Sequence, residues 1–200
     1  MFKKSKSISE KTGKYFSLLL LALASILGWY SYQAWARNRL VHRDSRPFDL
    51  AALLELEPFG EFEPERHLAH DISVVYYFSE LSCTTCTERE LVTVASWYER
   101  FADRANFILV VHGQDPLYLR QLRRIGRVRY PILLETGIGQ LGFETTTIAI
   151  VDQVPGLIVA RYTPKPDERG TQTAVDTMEK LLNRALAHHD AMALQLTGQP

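Results

Sequence analysis

The chain of 200 residues contains two cysteines, set as Cys83-Thr84-Thr85-Cys86. Two thiols are too few for a disulfide-rich scaffold or for a four-cysteine zinc site. They are left to act as a redox dithiol, as two buried unpaired cysteines, or as half of a metal site. Their position favours the first. They fall where an apolar run ends and a helical pattern begins. Unpaired N–H groups and the positive end of the helix dipole favour an anion there. A thiolate at Cys83 is therefore expected, with a pKa below that of a free thiol. Cys86 is three positions on, along the same helical face and within disulfide reach. Cys83 would then attack a partner disulfide, and Cys86 would resolve the mixed disulfide. Thr84 and Thr85 offer hydroxyls to the thiolate.

Other reactive side chains add less. His112 ends a second apolar run, and with Cys83 and Cys86 it makes a candidate Cu(I) set, since soft thiolates suit that ion. As a simple strand-end histidine it would do no chemistry. His67, His70, His188 and His189 read as surface residues. Arg120, Arg123, Arg124, Arg127 and Arg129 read as the wet face of a helix, with anionic headgroups or an acidic partner as the alternative. The glutamates between Glu55 and Glu65 read as a solvated face. No phosphate loop, Rossmann glycine set or H-E-x-x-H motif is present.

The elements that position these residues follow from hydrophobic periodicity. Ile72–Phe78 and Phe107–Val111 are apolar runs that read as buried strands. Between them, Thr84–Asp103 reads as a helix, with an apolar stripe of Leu91, Val94, Ala95, Tyr98 and Ala102. Asp115 and Pro116 supply an N-cap and a first-turn proline for a second helix that ends at Gly126. Pro131–Leu134 is a short extended piece. Thr146–Val151 and Leu157–Tyr162 pair as a hairpin across Pro155-Gly156. Val175, Met178, Leu182, Ala185 and Leu186 mark a last helix. The order is strand, helix, strand, helix, strand, strand, helix. It requires parallel pairing first and allows antiparallel pairing later, so the fold class is α/β with a mixed central sheet flanked by helices.

The amino-terminal part has a different character. Residues 15–36 carry no charge over 22 positions, bounded by Lys14 and Arg37. That length crosses a hydrocarbon core of about 30 Å, and Trp29, Tyr30, Tyr32 and Trp35 resemble an interfacial aromatic belt. A transmembrane helix is expected, with a cleaved signal ending at Ala34-Trp35-Ala36 as the alternative. The division is then a basic tail at 1–14, the membrane helix at 15–36, a connector at 37–70 with a short helix after Asp49, a domain at 71–190 and a tail at 191–200. Five lysines precede the span and four arginines follow it, which leans toward a cytoplasmic amino terminus and a domain on the periplasmic side. Formal net charge is zero, which argues against a nucleic-acid partner.

The segment from about Asp71 to Ala187 resembles the thioredoxin superfamily, nearest to redoxins of the TlpA and AhpC/TSA type. The resemblance rests on YYFSELSCTTC, RYPILLE and TTTIAIVDQVPGLIVARY. It implies a thioredoxin-like fold and dithiol–disulfide exchange with protein thiols and disulfides, with no cofactor beyond the redox-active disulfide. It places the family's cis-proline, a substrate-docking position, at Thr146. Without that proline, metal capture by the dithiol is less discouraged. Ser82 stands where a tryptophan often precedes the first cysteine. The buried acid that assists proton transfer maps to Tyr77, which is no base near neutral pH; Glu80 reads as a loop residue. The expected function is a membrane-anchored thiol–disulfide oxidoreductase. The alternatives are a copper-handling protein using Cys83, Cys86 and His112, and a redox-silent interaction module.

Overall fold

A computed structural model describes residues 20, 22–29, 41–43, 45–79, 84–113, 115–137, 139–163 and 171–197; side chains at 41–43, 84–88, 171–173 and 193–197 are outside the description. The chain divides into two units, Met1–Arg39 and Leu40–Pro200. In the first, residues 22–29 are helical. No helix among the described residues is long and apolar enough to cross a membrane. The expected span at 15–36 lies largely outside those residues.

The second unit is built on one seven-stranded sheet. Its elements in chain order are β1 (Val41–Arg43), α1 (Leu50–Leu54), β2 (Glu57–Pro58), α2 (Pro64–His67), β3 (Ile72–Ser79), α3 (Thr84–Phe101), β4 (Asn106–His112), α4 (Pro116–Ile125), β5 (Ile132–Glu135), β6 (Thr147–Asp152), β7 (Leu157–Tyr162) and α5 (Thr171–Thr197). The strand order is β1-β7-β6-β3-β4-β5-β2. β3, β4 and β5 are parallel, and β6 and β7 run antiparallel to their neighbours. The switch follows from the connections. Helical crossovers return the chain in the same direction, whereas the tight turn at Gly156, with φ +64°, reverses it.

β3 is buried along its length because both of its faces are covered, and its residues are accordingly mostly apolar. Val74, Tyr76 and Phe78 face Leu91, Val94 and Trp97 of α3, Leu119 and Leu122 of α4, and Met178 and Leu182 of α5. Val75 and Tyr77 face the opposite way, toward Phe48, Leu53, Leu56, Leu141 and Phe143. The second cover is therefore built from the connector and the loop before β6.

Several details differ from the sequence reading. The piece expected at Pro131–Leu134 is strand β5, shifted by one residue to Ile132–Glu135 and parallel to β4. The connector forms the short helix expected after Asp49, whose side chain accepts from the Ala52 N–H. It also supplies the two edge strands, β1 on β7 and β2 on β5. These have two or three residues each, too few to carry a period. The apolar stripe of α3 is rotated from the one expected. Trp97 and Phe101 are buried, while Ala102 is exposed and lies beyond the helix. Bulk decides this, since indole and phenyl rings remove far more area from water than alanine does.

α4 starts as read, with Asp115 accepting from the Leu117 N–H and Pro116 at its first turn. Its end divides two roles between two residues. Gly126 has an ordinary φ of −77°, but a Cβ there would lie 2.8 Å from Leu91 Cβ. Close packing against α3 requires glycine at this position. The left-handed residue that closes the helix is the next one, Arg127, at φ 51°. The Val128 N–H then returns to the Arg123 carbonyl at 3.1 Å, a Schellman closure.

Candidate functional site

β3 ends at Ser79 and the chain re-enters the described structure at Thr84, the first residue of α3. The helix thus leaves from the carboxy-terminal edge of the parallel strands, where ligands bind in open α/β sheets. Thr84, Thr85 and Cys86 occupy its first turn; their side chains are outside the description. Cys83 lies wholly outside the described residues, as do Glu80 and Ser82.

Two other expected residues flank the end of β3. On one side His112 is in register with Ser79. On the other, the Ser79 N–H donates to Thr146 Oγ1 at 3.3 Å. Thr146 is buried and stands immediately before β6, rather than as its first residue. Its hydroxyl takes an N–H that the sheet ladder leaves open, as buried amides require. No cis peptide bond occurs among the described residues. Among those residues, no three His, Cys, Asp or Glu side chains form a metal-holding group. The proposed copper set cannot be assembled from them, since Cys83 and the Cys86 side chain are outside the description.

Two buried carboxyl groups lie next to these elements, and the sequence reading missed both. Glu135 ends β5 and is fully buried. Tyr77 donates its hydroxyl to Glu135 Oε2 at 2.6 Å, and the Leu141 N–H donates to Oε1 at 3.2 Å. Burial, and then the bond to Glu135, push the Tyr77 hydroxyl far above its usual range. Tyr77 therefore stays neutral, as its residue type suggested, and acts as a donor. His112 is in register with Glu135. Its Nδ1 is buried without a hydrogen bond, 3.9 Å from Glu135 Oε2.

The other carboxyl is Glu90, on the α3 face of the sheet and 3% exposed. It accepts from the Tyr76 hydroxyl at 3.0 Å. Burial pushes its pKa from 4.5 to about 7, against the opposing effects of the Tyr76 bond and the Arg89 charge. Glu90 follows Cys86 by four positions, so the two share a helix face, and helical side chains lean back toward the amino terminus. A carboxyl that titrates near neutrality, one turn behind a thiol, is suited to taking and returning a proton. The spacing was a usable signal: 86, 90, 94 and 97 form one stripe, and an acid within an apolar stripe is a candidate for burial. Glu135 gave the weaker signal of an acid closing an apolar strand.

The paired histidines are not all loose surface groups. His189 places Nε2 2.9 Å from Asp152 and Nδ1 3.5 Å from Asp71, tying α5 to the end of β6 and the entrance to β3. His188 is exposed. The glutamates at 55, 57, 61, 63 and 65 are exposed, as expected.

No protein-family model matches the chain, and no curated protein is significantly similar to it. Among solved structures, the chain is similar to a thioredoxin-like protein determined in solution in its oxidised form. That match has a TM-score of 0.51 and 18% identity, and covers 73% of this chain and 97% of that one. It is also similar to a protein from Chlorobium tepidum described as thiol:disulfide interchange protein DsbE, with a TM-score of 0.53, 10% identity, and coverage of 72% and 96%. At these identities the likeness establishes the fold, which is thioredoxin-like.

Proposed function

We propose that this protein is a membrane-anchored thiol–disulfide oxidoreductase of the TlpA and AhpC/TSA type, working through Cys83 and Cys86. The observation that supports the reading is the start of α3 at Thr84, off the carboxy-terminal edge of β3 in a thioredoxin-like fold, with Cys86 in its first turn. The Cys83 thiolate attacks one sulfur of a partner protein's disulfide and expels the other as a thiolate, which takes up a proton. Cys86 then loses its proton and attacks Cys83 in the mixed disulfide. The partner leaves as a dithiol, and Cys83–Cys86 is left oxidised. Glu90 is the group suited to accept the Cys86 proton. Thr146, beside the exit of β3, is the position against which the partner backbone would dock. Residues 15–36 would hold the domain to a cytoplasmic membrane with the amino terminus inside, leaving the dithiol in a compartment where disulfides form and persist. The solved thioredoxin-like and DsbE structures are consistent with this chemistry.

The test is turnover of a model disulfide by the full chain in mild detergent. Cys83→Ser is expected to abolish turnover, and Cys86→Ser to trap the partner as a mixed disulfide. Turnover unchanged in Cys83→Ser removes the reading.

A copper-handling role is the second reading, favoured by His112. Its Nδ1 is buried with no hydrogen-bond partner, so the ring has a nitrogen that a soft ion could take. It predicts Cu(I) binding by the reduced chain in one-to-one ratio, lost when either cysteine is replaced and weakened in His112→Ala. No tight binding in the reduced chain ends it.

A further inference from the structure

A cavity of about 500 Å³ opens at the other end of the sheet. A second, of about 230 Å³, shares Arg66, His67, Arg129, Tyr130 and Pro131 with it, and reaches His70 and Asn106. These residues stand at the amino-terminal ends of β4 and β5, whereas α3 leaves from the carboxy-terminal end of β3. The two cavities are therefore separate from the start of α3.

Their charge is one-sided. Arg66, Arg123 and Arg129 all line the larger cavity, and Glu61 is the one carboxylate among its lining residues. Among the described residues, Arg66, Arg129 and Glu61 take part in no ion pair. Three guanidinium groups around one concavity repel one another unless an anion joins them. One of them is held in place. Arg123 donates to the Phe59 carbonyl at 3.3 Å and stacks on the Phe59 ring at 5.7 Å, so its position is set without a carboxylate.

We propose that this cavity binds a phosphate group, carried either by a soluble small molecule or by a lipid headgroup. Guanidinium forks match phosphate oxygens in pairs. The cavity has room for a diphosphate together with part of the group that carries it. Its walls come from the loop after β2, from α2, from α4 and from the residues that follow α4. Arg66 lies in α2 and Phe59 just after β2, so the connector contributes to this second site as well as to the sheet edges.

The test is calorimetric titration of the full chain in neutral detergent with pyrophosphate, repeated with Arg66→Gln/Arg129→Gln. Both arginines are exposed, so the variant is expected to fold, and its circular dichroism checks this. Saturable one-to-one binding that weakens by about a hundredfold in the variant, about tenfold for each guanidinium removed, supports the site. Competition then separates the sources. Displacement of pyrophosphate by short-chain phosphatidylglycerol, but not by short-chain phosphatidylcholine, assigns a headgroup; no displacement by either assigns a soluble phosphate compound. Absence of saturable binding, or binding equal in the folded variant and the original chain, overturns the proposal.

Discussion

Replacing Glu90 by glutamine should stabilise the fold above neutral pH and flatten its pH dependence. Glu90 is buried between α3 and β3, with the Tyr76 hydroxyl as its hydrogen-bond partner. Tyr76 is itself buried and its pKa is pushed up by burial and then by Glu90; Tyr118 of α4 and Tyr130 before β5 add smaller effects, and Arg89 is the nearby cation. Glu90 titrates at about 7 in the fold and near the ordinary carboxyl value in the unfolded chain. Between those values the folded state holds a proton that the unfolded state has released, so stability falls as pH rises through the window. At roughly 1.4 kcal/mol per pH unit, the full loss is about 3 kcal/mol, an upper figure for a group that relaxation and water penetration partly screen. Glutamine keeps an oxygen for Tyr76 but brings two N–H donors into a dry site, at a cost of about 1–2 kcal/mol. The variant should therefore be less stable than the original at pH 5 and more stable by about 1–2 kcal/mol at pH 8. Urea unfolding of the full chain across that range reads both values. With a slope of about 2 kcal/mol per molar, the midpoint at pH 8 should rise by about 0.5–1 M. Parallel pH profiles for the two proteins would refute the claim that Glu90 enters the fold protonated. The same substitution should remove a titration near pH 7 from the pH dependence of Cys86 alkylation, if the carboxyl serves the thiol.

Four further outcomes follow from particular residues. Gly126→Ala should destabilise the fold by about 1–3 kcal/mol, since its methyl group has no room beside Leu91, while Arg127→Gly should stabilise it by about 0.5–1 kcal/mol by relieving the left-handed residue; thermal unfolding checks both signs. Tyr77→Phe should cost about 2 kcal/mol, because Glu135 loses its short hydrogen bond in a buried site; a urea midpoint equal to that of the original would show that Glu135 is satisfied another way. Glu179 accepts from Arg100 at 2.6 and 2.8 Å and from Trp97 at 3.1 Å, and its pKa is lowered mainly by the Arg100 bond. A lowered carboxyl contributes stability above its unfolded value and loses it on acidification. Glu179→Ala should therefore cost about 0.5–1 kcal/mol at pH 7, as a half-exposed pair permits, and progressively less as the pH falls below the carboxylate range.

Long periodic segments made most of the fold legible. The apolar runs of β3 and β4, the capped start of α4, the hairpin of β6 and β7, and the stripe of α5 carry their own signals over many residues. What escaped is short or depends on partners far away in sequence. β1 and β2 are strands only because β7 and β5 offer open edges. β5 looks like a fragment until β4 lies beside it. The strand-to-helix junction on which the candidate site rests was legible, and the roles of its neighbours were not. Tyr77 was correctly judged unable to ionise, but its bond to Glu135 joins residues 58 positions apart. No local pattern in sequence carries that pairing.

The two buried acids bear on how the proposed dithiol would exchange protons, given that the resemblance to thioredoxins maps their acid onto Tyr77. That position lies on the face of β3 turned toward the connector, where Tyr77 donates to Glu135. On the opposite face, one residue earlier in β3, Tyr76 donates to Glu90. Adjacent tyrosines thus each hold a carboxyl from another element, on opposite sides of the sheet. The two acids are not equivalent. Glu135 accepts two hydrogen bonds and sits at the end of a strand, whereas Glu90 accepts one and sits on the helix that carries Cys86. Spare hydrogen-bonding capacity lets a buried carboxyl exchange a proton, and sharing a helix with the thiol keeps that exchange local. If proton transfer at this dithiol needs a side chain, Glu90 should carry the pH dependence and Glu135 the stability. Glu90→Gln and Glu135→Gln should accordingly separate the two properties, the first moving the thiol's titration and the second lowering the unfolding midpoint. Equal effects of both on alkylation would place the relay on the other face of the sheet.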